Sequence, residues 1–427
     1  MKIFSFRKTA SMLKDQTGAA LMMALATFTI LTVIASEVMY ETSVEFAVST
    51  QSVNQVKAHY AAKAGVEISL LRLQIYRKIM AMIPKEMLTQ IPMIDMIWKM
   101  PFSWPPMLPK EVSSIDKDQI NAAVKGSKMD SSYMATIESE SSKIDLSLLA
   151  SSNEELVKIT LAQLNQIFVS KMDEDEEFAR KYSGQSFTKL VNNIADWVDE
   201  NKESLNGGEE STYYQNFGAR DFYPPNQPFK TFEELHMVAE MTDDIYDLLL
   251  NRVTIYGAKA INVKYAPKEV LQAAYGLTEE QSARLLEERS KEDTQILKDP
   301  ATFLQFIESL GVRKEVLYDS NAPADPNGAG KPKVPITVEP EFNFRVKSMG
   351  QAGRVQKDVT AIVYDYDAVL AQLKKLTPKE EKKDEKKEED PNKPKTPEDP
   401  NKPQTAQPND AKKVPNERPT IVYWNEK

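Results

Sequence analysis

The most apolar stretch of the chain lies close to its start. Residues 17–36 contain no charged residue and no proline, and Gly18 is their only glycine. At about 1.5 Å rise per residue, about 20 helical residues span about 30 Å, the thickness of a bilayer's hydrocarbon core. The pattern therefore predicts a membrane-spanning helix, with its transmembrane part at 19–36.

This helix is expected to continue well beyond the membrane. The chain has neither glycine nor proline from Ala19 to Ala64, and apolar residues such as Val56 and Tyr60 recur at helical spacing. Pro84 is the first residue expected to end the helix. The sequence thus predicts one long helix over 19–83, of which the first third lies in lipid.

Alternating polar and apolar residues predict strands further along the chain. Tyr133–Ala150 alternates and then turns, and Phe342–Asp367 reads as two strands joined by Gly350 and Gly353. Between them, residues 146–335 show mainly helical spacing. The predicted fold class is α+β, with a large, mostly helical domain inserted into an α/β domain that follows the long helix.

The end of the sequence changes character twice. Residues 377–418 are charged, rich in proline and low in complexity, so they cannot bury a core and are expected to be disordered. Residues 419–427 then include the cluster T-I-V-Y-W. Either this segment is unstructured, or it forms a final strand that pairs with Asp358–Tyr366, and its β-branched and aromatic residues favour the strand.

Charges flank the apolar run unevenly. Basic residues precede it and acidic residues follow it: Lys2, Arg7, Lys8 and Lys14, then Glu37, Glu41 and Glu45. The positive-inside rule therefore predicts a cytoplasmic N-terminus and an exported remainder. An ordinary secretory signal fits poorly, because its small-residue cleavage site follows the apolar core, whereas Gly18 precedes it.

Composition narrows the possible chemistry. The chain has 427 residues, a net charge of −9, no cysteine and two histidines. Disulfides are absent, a Ser-His-Asp triad or a histidine-rich zinc site has almost no raw material, and the negative charge argues against nucleic acid as a partner. An assembly protein is therefore favoured over an enzyme.

The N-terminal pattern of a short basic leader, a glycine and an apolar helix start resembles the leader of type IV prepilins and pseudopilins. The resemblance implies that a prepilin peptidase cuts between Gly18 and Ala19 and that the new N-terminus is methylated. The fifth mature residue is usually Glu in this family, but here it is Met23. That departure is typical of one subfamily, the minor pseudopilin K of type II secretion systems.

Several later segments follow the order of motifs in the K subfamily, over roughly residues 10–370. Val191–Glu203 resembles its L-x-D-W-x-D-x-D motif, and GGEESTYYQ and YPPNQPFKTFEELHMV follow as expected. Ala260–Arg289 resembles I-N-V-N-T-A-P-x-x-V-L with a helical pair, although Lys264 and Tyr265 replace the usual Asn-Thr.

The patterns and the resemblance together predict the domain organisation. The predicted parts are a leader peptide at 1–18, the long helix at 19–83, a connector and first strand of a pilin-like domain at 84–145, the inserted helical domain at 146–335, the closing strands of the pilin-like domain at 336–376, the charged loop at 377–418 and the final segment at 419–427.

One acidic segment within the helical domain is a candidate metal site. Its oxygen-bearing residues are Asp196, Asp199, Asn201, Glu203, Glu209 and Glu210. Counted from Asp199, such side chains occupy positions 1, 3, 5 and 12, the spacing of EF-hand ligands, but position 6 is Ser204 instead of glycine. A solvated acidic turn is the alternative; the resemblance implies that calcium binds in this region.

Two classes of function remain open from the sequence. The resemblance implies a minor pseudopilin at the pseudopilus tip that initiates assembly and aids export of folded proteins across the outer membrane. Its implied partners are minor pseudopilins I and J, the major pseudopilin, the prepilin peptidase and the inner-membrane assembly platform. The chain would be a single-pass inner-membrane protein with a periplasmic head. The alternatives are a minor pilin of a type IV pilus and a membrane-anchored periplasmic metal-binding protein.

Overall fold

The structure is a computed structural model that confirms the predicted α+β class. It describes residues 16–83, 92–107, 114–214, 224–257, 259–291, 294–319, 330–366 and 418–427. Most of the predicted leader, and the low-complexity segment up to residue 417, lie outside the described residues.

One helix, α1, extends over Gln16–Met82. Its N-terminal part is exposed, and within the described residues α1 is the one helix long and apolar enough to cross a membrane. Its C-terminal part buries one stripe against the sheet, at intervals of three or four residues: Ala58, Ala62, Val66, Leu70, Leu73 and Tyr76. The same helix therefore serves as the candidate membrane anchor and as a structural element of the head.

The stripe of α1 packs on a five-stranded antiparallel sheet with the order β1-β2-β7-β8-β9. Its strands are β1 Phe102–Trp104, β2 Ser132–Ser139, β7 Asn343–Ala352, β8 Val355–Tyr364 and β9 Thr420–Glu426. Strand β2 pairs with β7 although the whole helical domain separates them in sequence. The segment 419–427 thus contains a strand, and β9 pairs with Val359–Tyr364 of β8.

The two glycines of the β7–β8 hairpin have different roles from the one expected. The turn lies at Gly353, whose φ of 57° is in the left-handed region that favours glycine. Gly350 lies inside β7, so its predicted place in the turn is wrong. A Cβ atom there would come within 2.1 Å of the Ala58 carbonyl oxygen and 2.3 Å of the Ala62 nitrogen. Glycine at 350 therefore lets α1 lie directly on the sheet.

The connector between α1 and β2 is more ordered than the sequence pattern suggests. It contains the helices α2 Met96–Lys99 and α3 Ser114–Gly126, in addition to β1. Strand β1 has three residues between Pro101 and Pro105, too few to show alternation, and it forms because Ser103 pairs with Met134 of β2. Trp98 of α2 is buried against Tyr76 and Phe344.

The inserted domain lies between β2 and β7 in the sequence and has its own hydrophobic core. Its helices are α4 Glu154–Glu174, α5 Glu176–Lys181, α6 Phe187–Val198, α7 Ser211–Tyr214, α8 Asp243–Leu250, α9 Lys268–Tyr275, α10 Glu279–Ser290, α11 Pro300–Ser309 and α12 Lys314–Leu317. Among the described residues, 3-10 helices occur in this domain at Leu146–Ala150 and Phe232–Met237, and in the connector at Pro92–Asp95. The domain also contains two pairs of short parallel strands: β3 Ile144–Asp145 with β4 Val253–Thr254, and β5 Ile261–Asn262 with β6 Ile336–Thr337.

A buried carboxylate joins the sheet to the inserted domain. Glu140, directly after β2, is fully buried and forms a bidentate pair with Arg345 of β7 at 2.8 and 2.5 Å. It also accepts hydrogen bonds from Lys143 at 3.0 Å and from the Thr254 hydroxyl at 2.6 Å. Burial raises the pKa of Glu140, but the two cations and these hydrogen bonds outweigh burial and hold it at about 2. These interactions therefore stabilise the folded protein fully at pH values above 4.5, the ordinary pKa of a glutamate. The stabilisation is lost only as pH falls toward 2.

The close approach at Gly350 gives a direct test of the packing between α1 and the sheet. We expect Gly350→Val to lower the free energy of unfolding by about 2 kcal/mol or more, because the new side chain meets helix backbone that cannot move aside without separating the two elements. Thermal and urea unfolding followed by circular dichroism measure the change.

Gly184→Ala is the matched control, because no atom lies within 4 Å of a Cβ placed there. A Gly350→Val protein as stable as the Gly184→Ala protein would contradict the tight seam between α1 and β7.

Candidate metal centre

The first carboxylate of the candidate site lies at the end of α6. The apolar face of this helix is buried, and Asp196 falls on that face, between Ala195 and Trp197, with 2% of its surface exposed. The helix stops at Asp199, which is extended with φ −75° and ψ 164°. A carboxylate is thus carried into the interior by apolar neighbours that anchor the helix.

The loop after α6 folds back and returns a third carboxylate to the same place. Gly207 and Gly208 have φ values of 92° and 82°, which few other residues adopt. They allow a tight turn in which the Ser204 amide donates to the Gly208 carbonyl at 2.9 Å. Glu210 follows this turn and is buried beside Asp199.

The side chains of Asp196, Asp199 and Glu210 converge. Each offers a carboxylate oxygen, and these oxygens all lie within 4.8 Å of one another. Asp196 accepts hydrogen bonds from the Ser204 hydroxyl at 2.7 Å and from the Leu205 amide at 3.0 Å. In contrast, Oδ1 of Asp199 and Oε1 of Glu210 are buried and have no hydrogen-bond donor among the described residues. Two buried acceptors are therefore left for a further group.

The electrostatics of the cluster are unfavourable without a cation. Burial, together with the charge of Asp196, raises the pKa of Asp199 to about 6. Burial and the charge of Asp199 raise the pKa of Glu210 to about 7, and burial raises the pKa of Asp196. A bound cation would remove this repulsion and satisfy the two orphaned oxygens.

The donor set fits a hard divalent cation. All three side chains offer oxygen, and calcium takes six to eight oxygen ligands from carboxylates, carbonyls and water. Asp196, Asp199 and Glu210 would hold the ion, and its chemistry there would be charge neutralisation and cross-linking of the loop to α6. The residues present therefore fit the calcium site that the resemblance implies.

Three of the six predicted residues lie outside this cluster. Asn201 donates from Nδ2 to Asp199 at 2.9 Å, and its Oδ1 accepts from the Glu203 amide at 2.7 Å, so it supports the loop. Glu203 and Glu209 pair through their backbones across the loop, and both side chains are exposed. The arrangement consequently departs from EF-hand order, because Asp196 joins from the preceding helix and Glu203 does not join.

Two supporting residues were not predicted from the sequence. Asn226 donates from Nδ2 to Glu210 at 3.2 Å and also to the Asn201 carbonyl. Ser204, noted only as a departure from EF-hand glycine, donates to Asp196. Asn226 lies 16 residues from Glu210, and no local spacing connects the two.

This part of the chain is similar to a known protein family. Residues 143–258, which include the cluster, match the family model described as type II secretion system (T2SS), protein K. No curated protein matches the chain.

A solved structure also resembles the chain: the crystal structure of the GspK-GspI-GspJ complex from the type 2 secretion system of enterotoxigenic Escherichia coli. The similarity covers 74% of this chain and 94% of that chain, at 16% identity and a TM-score of 0.44.

The family match confirms the resemblance that the sequence motifs predict. It falls on the helical domain, and this domain is inserted between strands of the sheet that packs on α1. Within this helical domain, residues 143–258 are similar to protein K of type II secretion systems.

Proposed function

We propose that this protein is a minor pseudopilin of a type II secretion system, that it occupies the tip of the pseudopilus, initiates its assembly and aids the export of folded proteins across the outer membrane. The observation that carries the proposal is the helical domain of the protein K family, inserted between β2 and β7. An insertion of this size should clash with any head stacked above it. A subunit with such a head therefore fits best where nothing lies above.

Met23 also supports a position at the tip of the filament. In most pseudopilins a carboxylate at the fifth mature position gives the amine of a neighbouring subunit a partner within lipid, where charges are weakly screened. Met23 cannot do this. A subunit at the tip has no neighbour above it whose amine needs a partner, so an unpaired Glu at position 23 would be unfavourable and Met is better suited.

The exposed part of α1 supports membrane anchoring and assembly through helix contacts. Its N-terminal half exposes apolar side chains, among them Phe28, Ile34, Val38 and Phe46. Such surfaces normally contact lipid or other proteins. We assign the transmembrane part to the inner membrane, with the N-terminus in the cytoplasm and the head in the periplasm.

The proposed partners follow from the match of the helical domain to protein K of type II secretion systems. They are minor pseudopilins I and J, the major pseudopilin, the prepilin peptidase and the inner-membrane assembly platform. The role proposed for the chain is structural and not enzymatic. Its two histidines support this, because His59 pairs with Glu426 at 3.3 Å and His236 stacks on Tyr246 at 3.7 Å.

Calcium is the ion proposed to bind to Asp196, Asp199 and Glu210. When bound, it would neutralise the three carboxylates and fix the loop of residues 199–210 to α6. Tyr214 and Phe229 pack around Trp197, beside Asp196, so the ion would stabilise this part of the helical core.

Processing is the first test of the pseudopilin assignment. We expect Gly18→Leu to block cleavage, because the peptidase of this family accepts little bulk before the cut. Mass spectrometry of the wild-type protein should give an N-terminus at Ala19 with one added methyl group, and the variant should keep its leader.

Gly126→Leu is the control, since the same side chain is added where no atom lies within 4 Å. A Gly18→Leu protein that matures like the Gly126→Leu protein would refute the prepilin leader.

The metal site predicts a stability change that depends on calcium. Calcium at about one hundred times its Kd should stabilise the wild-type protein by about 2.7 kcal/mol. Asp199→Ala with Glu210→Ala should lose this gain in calcium and lose nothing in chelator. In chelator the wild-type stability should fall as pH rises through the folded pKa values of about 6 and about 7, because the folded state binds protons more tightly than the unfolded state.

Glu209→Gln is the matched control, because Glu209 is adjacent to Glu210 but exposed and outside the cluster. Calorimetric melting in calcium and in chelator distinguishes the variants. If calcium shifted the melting temperature of the wild-type and the double-variant protein equally, calcium would not bind in this loop.

Imaging tests the position in the filament. A label on the head should appear at one end of isolated pseudopili, whereas the labelled major pseudopilin should repeat along the shaft. Met23→Glu should not turn the protein into a filament-forming major subunit, so its label should stay at one end. Signal spaced along the shaft would rule out the tip.

A further inference from the structure

The outer edge of β8 is covered by a segment that reaches it from far along the chain. Residues 365–419 separate β8 from β9, whereas an adjacent antiparallel strand needs a loop of only about two to five residues. The connection therefore does not dictate that these two strands pair. The pairing must come from the contacts that segment 418–427 makes once it reaches the edge.

Those contacts extend beyond the backbone ladder to parts of the chain outside the sheet. Glu233, in the helical domain, accepts from the Tyr423 hydroxyl at 2.6 Å and from Asn425 Nδ2 at 2.7 Å. Arg418 pairs with Glu67 of α1 at 2.8 Å. The Tyr423 ring also lies 5.6 Å from that of Tyr256. The surroundings of the β8 edge thus recognise particular side chains of this segment.

The strand is held less completely than its neighbours. Within segment 418–427 only Pro419 is buried, whereas most of β7 is. The ladder also shifts register between Ile362 and Val363, which leaves Val422 as an extra residue with 40% of its surface exposed. An edge strand with one paired side, an interrupted ladder and few buried side chains opens at low cost.

We propose that the edge of β8, together with Glu233 and Glu67, is a strand-binding site whose ligand is segment 418–427, bound reversibly in cis. The segment covers backbone groups that would otherwise be available for pairing with another chain. When it leaves, the edge accepts the same segment from a second copy of this chain. The site therefore selects an antiparallel strand with a tyrosine and an asparagine two residues apart, placed to reach Glu233.

Peptide binding to the full-length chain tests this proposal. The probe is a fluorescent peptide of residues 418–427. The tethered segment of the wild-type chain competes with the free peptide for the same edge, so the wild-type chain should bind the probe weakly. Tyr423→Ala with Asn425→Ala in the chain weakens the cis segment and leaves the β8 edge intact, so the probe should bind this variant more than about tenfold tighter.

Three controls sharpen the measurement. A probe with the same two substitutions should bind neither chain. Adding Glu233→Ala to the variant should weaken binding of the unmodified probe, because its tyrosine and asparagine lose their acceptor. Val422→Ala in the chain changes the same strand at the exposed bulge and should behave as wild type.

Hydrogen exchange of the wild-type chain gives a second measurement that requires no variant to fold. Backbone amides of Ile421–Glu426 should exchange at least about tenfold faster than those of Phe344–Met349 in β7. Equal protection of the two strands, or failure of the folded variant to bind the probe, would show that β9 is an integral strand and overturn the proposal.

Discussion

One fully buried carboxylate, that of Glu140, lies at the junction between the sheet and the helical domain. Glu140 accepts hydrogen bonds from Arg345 of the sheet, from Lys143 in the short turn after β2 and from Thr254 of β4. Thr254 and Arg345 are distant from Glu140 in sequence, whereas Lys143 lies three residues after it. Glu140, Lys143 and Arg345 are all almost completely buried. Removing one partner of such a pair leaves a buried charge unmatched, at a cost of about 3–5 kcal/mol. A shift of the helical domain relative to the sheet would break the hydrogen bond from the Thr254 hydroxyl to Glu140.

A neighbouring carboxylate strengthens the same junction by another route. Glu341, just before β7, accepts hydrogen bonds from the Asn343 amide at 3.0 Å and from Asn262 of β5 at 3.3 Å. Burial raises its pKa, in contrast to that of Glu140 beside its cations. The junction thus combines an ionic clamp with a hydrogen-bonded one. Glu140 and Glu341 thus hold residues Thr254 and Asn262 of the helical domain, which also contains α6 and its acidic loop, next to the sheet.

The sequence predicted features that depend on local chemistry. The long helix followed from the absence of glycine and proline, and Gly353 from the residue type that a left-handed turn requires. Asp196, Asp199 and Glu210 were predicted as site residues because acidic side chains cluster there in the sequence. Glu203 was grouped with them by EF-hand spacing and Glu209 as a member of the same acidic segment. The left-handed turn at Gly207 and Gly208 pairs the backbones of these two residues and leaves both side chains exposed.

Features that depend on distant contacts were not visible in the sequence. Strand β1 exists only because β2 lies beside it, and Asn226 reaches Glu210 from another segment. Gly350 was placed in the turn because its part in packing appears only once α1 is in position. Nothing in the local pattern showed that Glu140 is fully buried, because its cations come from a short loop and from a strand about two hundred residues later.

The seam between α1 and β7 has a mechanical consequence. An α-helix the length of α1 measures about 100 Å, and roughly half of that extends beyond the head. At Gly350 the sheet touches helix backbone with no side chain between them to yield. Helix and head therefore form one stiff body. A pull or a twist applied to the exposed N-terminal half of the helix would therefore reach the head as displacement and rotation.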